Sequence, residues 1–438
     1  MSCRRWMLAS QRVRAATAQA LRRTTCALMV GTLGTSALAQ HAACRSWPLW
    51  DEFKAVHLAP EGRVKDDGPQ GERSISEAQA YALFFALVAG DRAAFERILH
   101  WSDQHLAQGQ LGAQWMAWLW QPRAPEGAAP GTPPEPASAG DVRDANAATD
   151  ADLWLAYTLM EASRLWRVPA WQTVAEQLTQ TLVRQASTGA PTLGPVLLPG
   201  VWGFELSPTR WRLNPSYVPP FVMARLFASG PDTALRDSAL RLLLEPLAQG
   251  ARAADWVIWD NALGWQPESG WGSYDAIRVY LWLAMSTPPL KAQACRVSRE
   301  WLALAQRPSD WLDHWPTHAQ AHAPRGAASR TGATMYEAGP GFTATAWALA
   351  QACGPASLAN DLRQRVLQQV QHAPRGYYQR ALLLFATGWL EGRFRFLPQG
   401  QLALAAPRQV YFSLPARARG AGTASVQAHA SLNCRRTP

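Results

Sequence analysis

The chain has 438 residues, of which 48% are hydrophobic, so it can bury a large core. Its net charge of +10 comes from the two ends: the first 39 residues and the segment from Arg408 onward carry eleven arginines and no acid, which leaves 31 basic against 32 acidic side chains elsewhere. Because a nucleic-acid-binding protein presents a basic folded face, this distribution excludes nucleic acid as an expected partner.

The N-terminal segment has the pattern of a secretory signal peptide. Arg22-Arg23 precede an apolar run at 26–33, and Ala37-Leu38-Ala39 forms a small-x-small cleavage site before Gln40. The apolar run is shorter than the roughly 20 residues that cross a bilayer, which disfavours a membrane anchor. We therefore expect residues 1–39 to be removed and the mature protein to be periplasmic or secreted, with no stable membrane insertion.

Four cysteines remain after that cleavage, namely Cys44, Cys295, Cys353 and Cys434. Export permits disulfides, and three pairings are open, while buried or incidental thiols are an equally good interpretation. The spacing of these cysteines does not fit a zinc site, and the nine histidines lack ligand spacing. The sequence therefore predicts neither a metal nor a cofactor.

The body alternates between two kinds of helical pattern. Residues 76–89 are apolar nearly all round, which is typical of a buried helix, whereas residues 92–106 are apolar on one side only. The alternation recurs at 152–166 with 170–184, 216–228 with 233–248, 274–286 with 291–306 and 342–352 with 358–371, beside single helices near 50–56 and at 377–390. No convincing strand series appears. The sequence predicts an all-α fold, a toroid of inner and outer helix pairs whose inner ends form a cleft.

We expect a single domain at 40–414, interrupted by two low-complexity loops and followed by a basic tail. Residues 121–141 form a Pro/Gly/Ala-rich loop inside the helical pattern, and residues 319–334 form a second irregular loop. The basic tail at 415–438 is expected to be disordered.

Three acidic stretches stand at predicted helix starts, and the first contains Glu77. Ser74 and Glu77 fit a capping box, in which the glutamate returns to the serine backbone amide. The alternative is chemical: Glu77 begins a largely apolar helix, and partial burial would keep its carboxyl protonated, as a general acid requires.

The other two stretches carry Asp150 with Asp152 and, later, Asp275 after Ser273 and Tyr274. Acids in a first helical turn interact favourably with the helix dipole or cap the helix, so each of the two stretches has a purely structural interpretation. If the inner helices begin at one end of a ring, however, these carboxyl groups meet in one cleft. Two carboxyl groups are what glycoside hydrolysis needs.

The 22 tryptophans provide a means of gripping a sugar chain, because pyranose C–H faces stack on aromatic rings. Most of them are expected to be core residues. Those on predicted loops are the better stacking candidates, among them Trp202, Trp211 and Trp271.

Several ordered motifs between about Trp47 and Leu404 resemble one family. They are Gly62-Arg63-Val64, Ser76-Glu77-Ala78-Gln79-Ala80-Tyr81, Ala148-Thr149-Asp150-Ala151-Asp152-Leu153-Trp154, Leu213-Asn214-Pro215-Ser216-Tyr217, Ser273-Tyr274-Asp275-Ala276-Ile277-Arg278, Tyr377-Tyr378 and Gly388-Trp389-Leu390-Glu391-Gly392-Arg393. Together they resemble glycoside hydrolase family 8 and, within it, the periplasmic endo-1,4-β-glucanases that accompany bacterial cellulose synthases. The chain departs from the family pattern at Ala78, where glycine is usual, and at Ala80, where serine or glycine is common.

The resemblance implies an (α/α)6 barrel that hydrolyses β-1,4-glucan (cellulose) with inversion and without a metal, close to a cellulose synthase complex. It implies Glu77 as the general acid, Asp275 as the base that activates water, and Asp150 as a residue that binds and distorts the sugar. The implied substrate contacts are Tyr217, Tyr274, Arg278, Trp118, Trp120 and, as a loop-borne candidate, Trp211.

Two alternatives stay open. The same fold could act on chitosan, lichenan or xylan, since the loops that set the subsites cannot be placed from the sequence. A different class is a cellulose-binding accessory protein with weak or no hydrolysis, although such a protein has no need of three acids.

Overall fold

A ring of helix pairs organises the molecule. The computed structural model describes residues 46–68, 71–123, 140–307, 311–318, 336–372, 376–407, 409–413 and 427–433. The inner helices are α2 (Ser76–Ala89), α4 (Thr149–Trp166), α6 (Pro220–Leu226), α8 (Ala276–Ala284), α11 (Pro340–Cys353) and α13 (Tyr377–Glu391). The outer helices are α1 (Pro48–His57), α3 (Arg92–Leu106), α5 (Pro169–Ala186), α7 (Thr233–Leu244), α9 (Leu290–Val297), α10 (Arg299–Ala305) and α12 (Ala356–His372).

Contacts between successive inner helices close the ring. Helix α2 packs on α4, and α4 packs on α6 and on the 3₁₀ turn Pro215–Tyr217, which in turn contacts α8. Helix α8 packs on α11, α11 on α13, and α13 on α2. Each inner helix also packs against an outer partner, with α9 and α10 together covering α8 and α11, and α1 covering α13. The predicted (α/α)6 barrel is confirmed.

Aromatic rings fill the middle of the barrel. Trp154 lies 5.0 Å from Phe84, 5.1 Å from Phe385 and 5.4 Å from Trp282, measured between ring centroids. All nine residues of α8 are buried, as the all-round apolar pattern of an inner helix requires. Because this core occupies the interior, only the ends of the barrel are open to a substrate.

Sixteen short strands lie in the described residues, and the expectation of no strand series was wrong. One four-stranded antiparallel sheet has the order β1 (Asp66–Gly68), β2 (Gly71–Ile75), β3 (Ala117–Pro122), β4 (Gly140–Ala147). The other has the order β10 (Gly264–Pro267), β9 (Val257–Asp260), β8 (Arg210–Leu213), β7 (Glu205–Ser207). The two-stranded ribbons are β5 (Ser187–Ala190) with β6 (Gly194–Leu197), β11 (Trp271–Gly272) with β12 (Trp315–Pro316), β13 (Phe394–Phe396) with β14 (Leu402–Leu404), and β15 (Gln409–Ser413) with β16 (Gln427–Asn433).

The strands were missed because most span two to five residues, too few to establish a period of two. Their position matters for function. Strand β2 runs directly into α2, β4 into α4, and β11 leads to α8, so the sheets surround the end of the barrel at which inner helices begin.

Helix boundaries differ from the predictions at two places. The segment predicted as 216–228 becomes helical only at Pro220, because Pro215–Tyr217 first makes a 3₁₀ turn. The segment predicted as 291–306 forms two helices that are separated at Ser298. The Ser298 hydroxyl donates to the Ala294 carbonyl, a side-chain contact that competes with the backbone hydrogen bonds of a continuous helix.

The loops and tail fit the predictions only in part. The ends of the predicted loop at 121–141 belong to β3 and β4, where Pro122 pairs with Gly140, and residues 124–139 lie outside the described part. Residues 319–334 also lie outside it. The tail was wrongly predicted as irregular throughout, since residues 427–433 form β16; small and apolar residues alternate there with polar ones, a strand pattern.

One disulfide joins Cys295 to Cys353 and so ties α9 to the end of α11. This selects one of the three pairings, whereas Cys44, Cys434 and the predicted signal peptide lie outside the described residues. Across the described ranges, no helix is long and apolar enough to cross a membrane.

Candidate active site

The three predicted carboxyl groups meet at the end of the barrel where inner helices begin. Glu77 lies in the first turn of α2, Asp150 in the first turn of α4, and Asp275 directly before α8. One side chain, Arg278 of α8, contacts all three. The sequence thus placed each acid at a helix start, and the ring brings those starts together.

The guanidinium of Arg278 divides its contacts between its two amino groups. Nη1 donates to Glu77 Oε2 and lies 3.4 Å from Asp150 Oδ2. Nη2 donates to Asp275 Oδ1 at 2.7 Å. Only 2% of the Arg278 side chain is exposed, whereas Asp275 keeps 29% exposed and Glu77 keeps 14%. Asp150 is as buried as the arginine, so Asp275 and Glu77 are the more accessible acids of the three.

Neighbouring groups hold Arg278 in this position. Ser216 Oγ accepts from Nη2 at 3.0 Å and from Nε at 3.3 Å. The ring centroid of Tyr217 lies 5.5 Å from the guanidinium carbon, within the range of a cation–π contact. The motif that carries Ser216 and Tyr217 therefore acts through Arg278, a role its sequence alone did not indicate.

The acids outnumber the cations that contact them, and burial shifts their ionisation. Desolvation raises the pKa of Asp150 to about 7. Desolvation, followed by the like charges of Asp255 and Asp150, raises the pKa of Asp275 well above its ordinary value. Carboxyl groups with pKa values shifted in this way, gathered in one place, indicate a candidate catalytic centre.

The capping-box interpretation of Glu77 was wrong. Ser74 lies in β2 and its hydroxyl donates to the Val64 carbonyl, so no capping box forms; the N-cap residue of α2 is Ile75. The N-cap residue of α4 is Ala148, which has no side chain able to cap the helix. Asp150 is not the N-cap residue, but its Oδ1 accepts from the first-turn N–H of Ala151 at 2.9 Å, so the structural interpretation of Asp150 holds in part.

Glu77 contacts an arginine and a tyrosine. Its side chain is partly exposed, and its Oε2 accepts from Arg278. Its other oxygen, Oε1, accepts from the hydroxyl of Tyr377 at 3.1 Å. That partial burial keeps the Glu77 carboxyl protonated stays a prediction.

Asp152 has a structural role beside the site. Its Oδ1 accepts from the backbone N–H of Met116 at 2.9 Å. Because Met116 directly precedes β3, this hydrogen bond joins the start of β3 to the first turn of α4. Desolvation raises its pKa well above the ordinary range, so the first turn of α4 carries two acids that resist ionisation.

The aromatic candidates separate into accessible and buried rings. Tyr274 is 45% exposed, Tyr217 and Trp118 are half-buried, and Trp202 is 51% exposed. Trp120 and Trp211 are each 1% exposed, so the prediction that they offer a face to sugar was wrong. Trp211 belongs to β8 and not to a loop.

Trp120 is covered on both sides. Its ring meets Trp101 edge to face at 5.3 Å, and the guanidinium of Arg63 lies 5.3 Å from its centroid. By contrast, the Trp202 loop lies beside the start of α4, because the Thr149 hydroxyl donates to Leu198 and the Asn146 amide donates to the Trp202 carbonyl. The Trp202 backbone is therefore held against the segment that leads into α4.

Sequence reasoning missed residues that support the site from a distance. Tyr377 begins α13 and reaches Glu77, although its motif had suggested no role. Arg212 lies 3.7 Å from the ring centroid of Trp256 and forms a paired contact with Glu268. Asp255 accepts from backbone groups next to Asp275. These partners are distant in sequence, so no local pattern could identify them.

Among the described residues, no group of three or more histidine, cysteine, aspartate or glutamate side chains is arranged to hold a metal ion. The chemistry open to this arrangement is proton transfer between closely placed carboxyl groups and a bound substrate.

The profile of Glycosyl hydrolases family 8 matches residues 23–392. An endoglucanase of Xanthomonas axonopodis pv. citri is 37% identical over 390 residues, which cover 86% of this chain and 94% of that protein. An endoglucanase of Escherichia coli strain K12 is 35% identical over 379 residues, covering 85% and 95%. The crystal structure of an endo-1,4-D-glucanase from Vibrio fischeri superposes with a TM-score of 0.70 at 32% identity and covers 82% of this chain and 99% of that one.

Proposed function

Because the chain belongs to glycosyl hydrolases family 8, we propose that it is an endo-1,4-β-glucanase that cuts internal bonds of cellulose. It is a glycoside hydrolase by family, and its relatives named endoglucanase match most of its length. The observation that carries the proposal is the convergence of Glu77, Asp150 and Asp275 on Arg278 at the open end of the barrel.

The proposed roles follow from the positions of the carboxyl groups. Glu77 donates a proton to the glycosidic oxygen as the bond to the anomeric carbon breaks. Asp275 accepts a proton from the water that attacks that carbon from the opposite face, which inverts its configuration. Asp150 binds the sugar at the cleavage point and favours its distorted ring.

These roles require a protonated Glu77 and an ionised Asp275. Arg278 contacts both groups, and the pKa of Asp275 responds to the charges around it. Groups this closely placed titrate as a set.

The accessible aromatic residues suit a sugar chain. Tyr217, Tyr274 and Trp118 offer partly exposed rings near the carboxyl groups, and Trp202 extends this surface beside α4. Such rings can stack on pyranose C–H faces, as a glucan chain in the cleft requires.

We also propose that the chain is one catalytic domain at 40–414 that works after export. The signal-peptide pattern at 1–39 supports export, and the Cys295–Cys353 disulfide suits an oxidising compartment. Action near a cellulose synthase in the periplasm is the finer proposal, and it rests on the resemblance alone.

The test is a comparison of soluble polysaccharides under one set of conditions. Reducing-end release and viscosity are followed on carboxymethyl-cellulose, lichenan, xylan and chitosan. An endo-glucanase lowers the viscosity of carboxymethyl-cellulose quickly while releasing few ends. Faster cleavage of another polymer would assign the site to that polymer, and binding of cellulose without any cleavage would leave an accessory binding protein.

A further inference from the structure

Asp255 connects to the start of α8 through an unusual set of contacts. Its Oδ1 accepts from three backbone N–H groups, those of Ser273 at 2.8 Å, Asp275 at 3.0 Å and Ala276 at 2.8 Å. In the other direction its own N–H donates to the Trp271 carbonyl at 3.3 Å. The segment before β9 is thus tied to the turn that presents Asp275.

These contacts replace a cap that Asp275 would otherwise provide. Asp275 occupies the N-cap position of α8, where an aspartate side chain usually accepts from amides of its own first turn. Here Asp275 makes no such contact, since Asp255 satisfies the amides. The carboxyl group of Asp275 is therefore free to meet Arg278 and the cleft.

The opposite side of the same turn is also fixed. The Ser273 hydroxyl donates to the Asp313 carbonyl at 2.8 Å, and the Tyr274 hydroxyl lies 3.4 Å from Asp313 Oδ2. Asp255 differs from Asp313 in contacting the backbone of Asp275 itself.

We propose that Asp255 is a positioning residue for Asp275: it caps α8 from outside the helix and places the charge of a second carboxylate behind the catalytic base. The inference rests on the proposed role of Asp275. The contacts of Asp255 are with the backbone of the turn that presents Asp275, so it acts through Asp275.

The negative charge of Asp255 also affects the pKa of Asp275, which an uncharged hydrogen-bond acceptor would not do. After desolvation, Asp255 is the largest influence that raises the pKa of Asp275, followed by Asp150, while Asn214 and Arg212 lower it. Arg278 contacts Asp275 directly, and Tyr217 and Tyr378 face it. Asp255 itself is faced by His314. Removing the charge of Asp255 should therefore lower the pKa of Asp275.

The experiment separates position from charge. Asp255→Asn keeps an oxygen that accepts N–H bonds but loses the charge, whereas Asp255→Ala loses both. Asp91→Asn is the matched control, because Asp91 caps α3 by accepting from Ala94 far from the cleft. For each, kcat and KM on cellohexaose, an uncharged oligosaccharide, are measured against pH, beside the melting temperature.

A base must be ionised, so activity falls as the pH drops through its pKa. We expect Asp255→Asn to move the acid limb of kcat/KM to lower pH with KM nearly unchanged. We expect Asp255→Ala to lower kcat by about 100-fold, the effect of a misplaced catalytic group. Asp91→Asn should lower the melting temperature and leave the pH profile as in the wild type.

The inference is overturned if the acid limb of kcat/KM for Asp255→Asn lies at the same pH as in the wild type. If Asp255→Ala does not fold, the result for Asp255→Asn alone decides. An inactive wild type, or a fully active Asp275→Asn, would instead remove the proposed function on which the inference rests.

Discussion

The two ends of helix α4 bury carboxyl groups in opposite ways. Near its C-terminus, Glu161 is fully buried between two arginines: Arg164 donates at 3.0 and 2.6 Å, and Arg225 donates at 2.6 Å. The backbone N–H of Leu402 donates to it as well, at 3.0 Å. Each of its oxygens accepts a hydrogen bond, and two cations surround one anion.

At the N-terminus of the same helix, Asp150 shares a single guanidinium with two other acids. Its Oδ2 lies 3.4 Å from Arg278 but accepts no hydrogen bond from any described residue. A fully paired buried carboxylate serves stability, whereas an under-compensated cluster holds protons that chemistry can use. The same helix therefore carries a structural end and a reactive end.

The largest expected change concerns the structural end. Glu161→Gln leaves the two arginines without an anion. Breaking a buried pair costs about 3–5 kcal/mol of unfolding free energy, and because these arginines are partly exposed we expect about 3 kcal/mol, the lower end. Urea denaturation measures this loss, with kcat per folded molecule expected to stay near the wild-type value. As a control, Glu96→Gln in the exposed Arg92–Glu96 pair should cost at most about 1 kcal/mol. Equal losses for the two variants would remove the contrast between the ends.

The next change concerns the reactive end. Arg278→Lys keeps the charge but loses the planar fork that reaches three carboxyl groups at once. We expect kcat to fall by about 100-fold, equivalent to about 2.7 kcal/mol. Arg92→Lys on the exposed surface should have no effect on kcat. A lysine variant with more than half the wild-type turnover would show that the fork is dispensable.

A third prediction uses pH. The folded protein holds the Asp150 proton up to about pH 7, while an ordinary carboxyl, as in the unfolded chain, releases it near 3.8. Stability should therefore fall as the pH rises between these values, by up to about 1.4 kcal/mol per pH unit for each retained proton. Asp150→Asn should weaken this fall. Urea unfolding across that range measures it, and a constant difference between variant and wild type would contradict it.

The smallest expected effect concerns the exposed Trp202, whose backbone contacts the segment that leads into α4. Trp202→Ala should weaken substrate binding by about 1 kcal/mol, a roughly fivefold rise in KM, with kcat little changed. Leu263→Ala is the control, since Leu263 is 71% exposed and belongs to the turn between β9 and β10. A KM unchanged by Trp202→Ala would exclude that ring from the binding surface.

Prediction from sequence worked where the signal was local and long. The all-round apolar pattern of residues 76–89 identified an inner helix, and the acids were located at helix starts because first turns have recognisable composition. Prediction failed where the contacting residues are distant from each other in the sequence. Trp211 looked like a loop residue because its strand has four residues, and Asp255 contacts a turn 18 to 21 residues away.

The charges that face Glu77 could not be predicted for a related reason. Partial burial predicts a protonated Glu77, and the ring places Arg278, some 200 residues later, directly against it. Ionisation depends on all charges within a few ångströms, and those are set by the tertiary fold.

The central claim is that the under-compensated cluster performs the reaction. The most direct measurement is turnover of cellohexaose by Glu77→Gln and Asp275→Asn beside their melting temperatures. We predict a loss of about 1,000-fold or more in kcat for each, as expected for removing a general acid or base, with melting temperatures equal to or above that of the wild type. A folded variant that turns over within tenfold of the wild-type rate would contradict the claim.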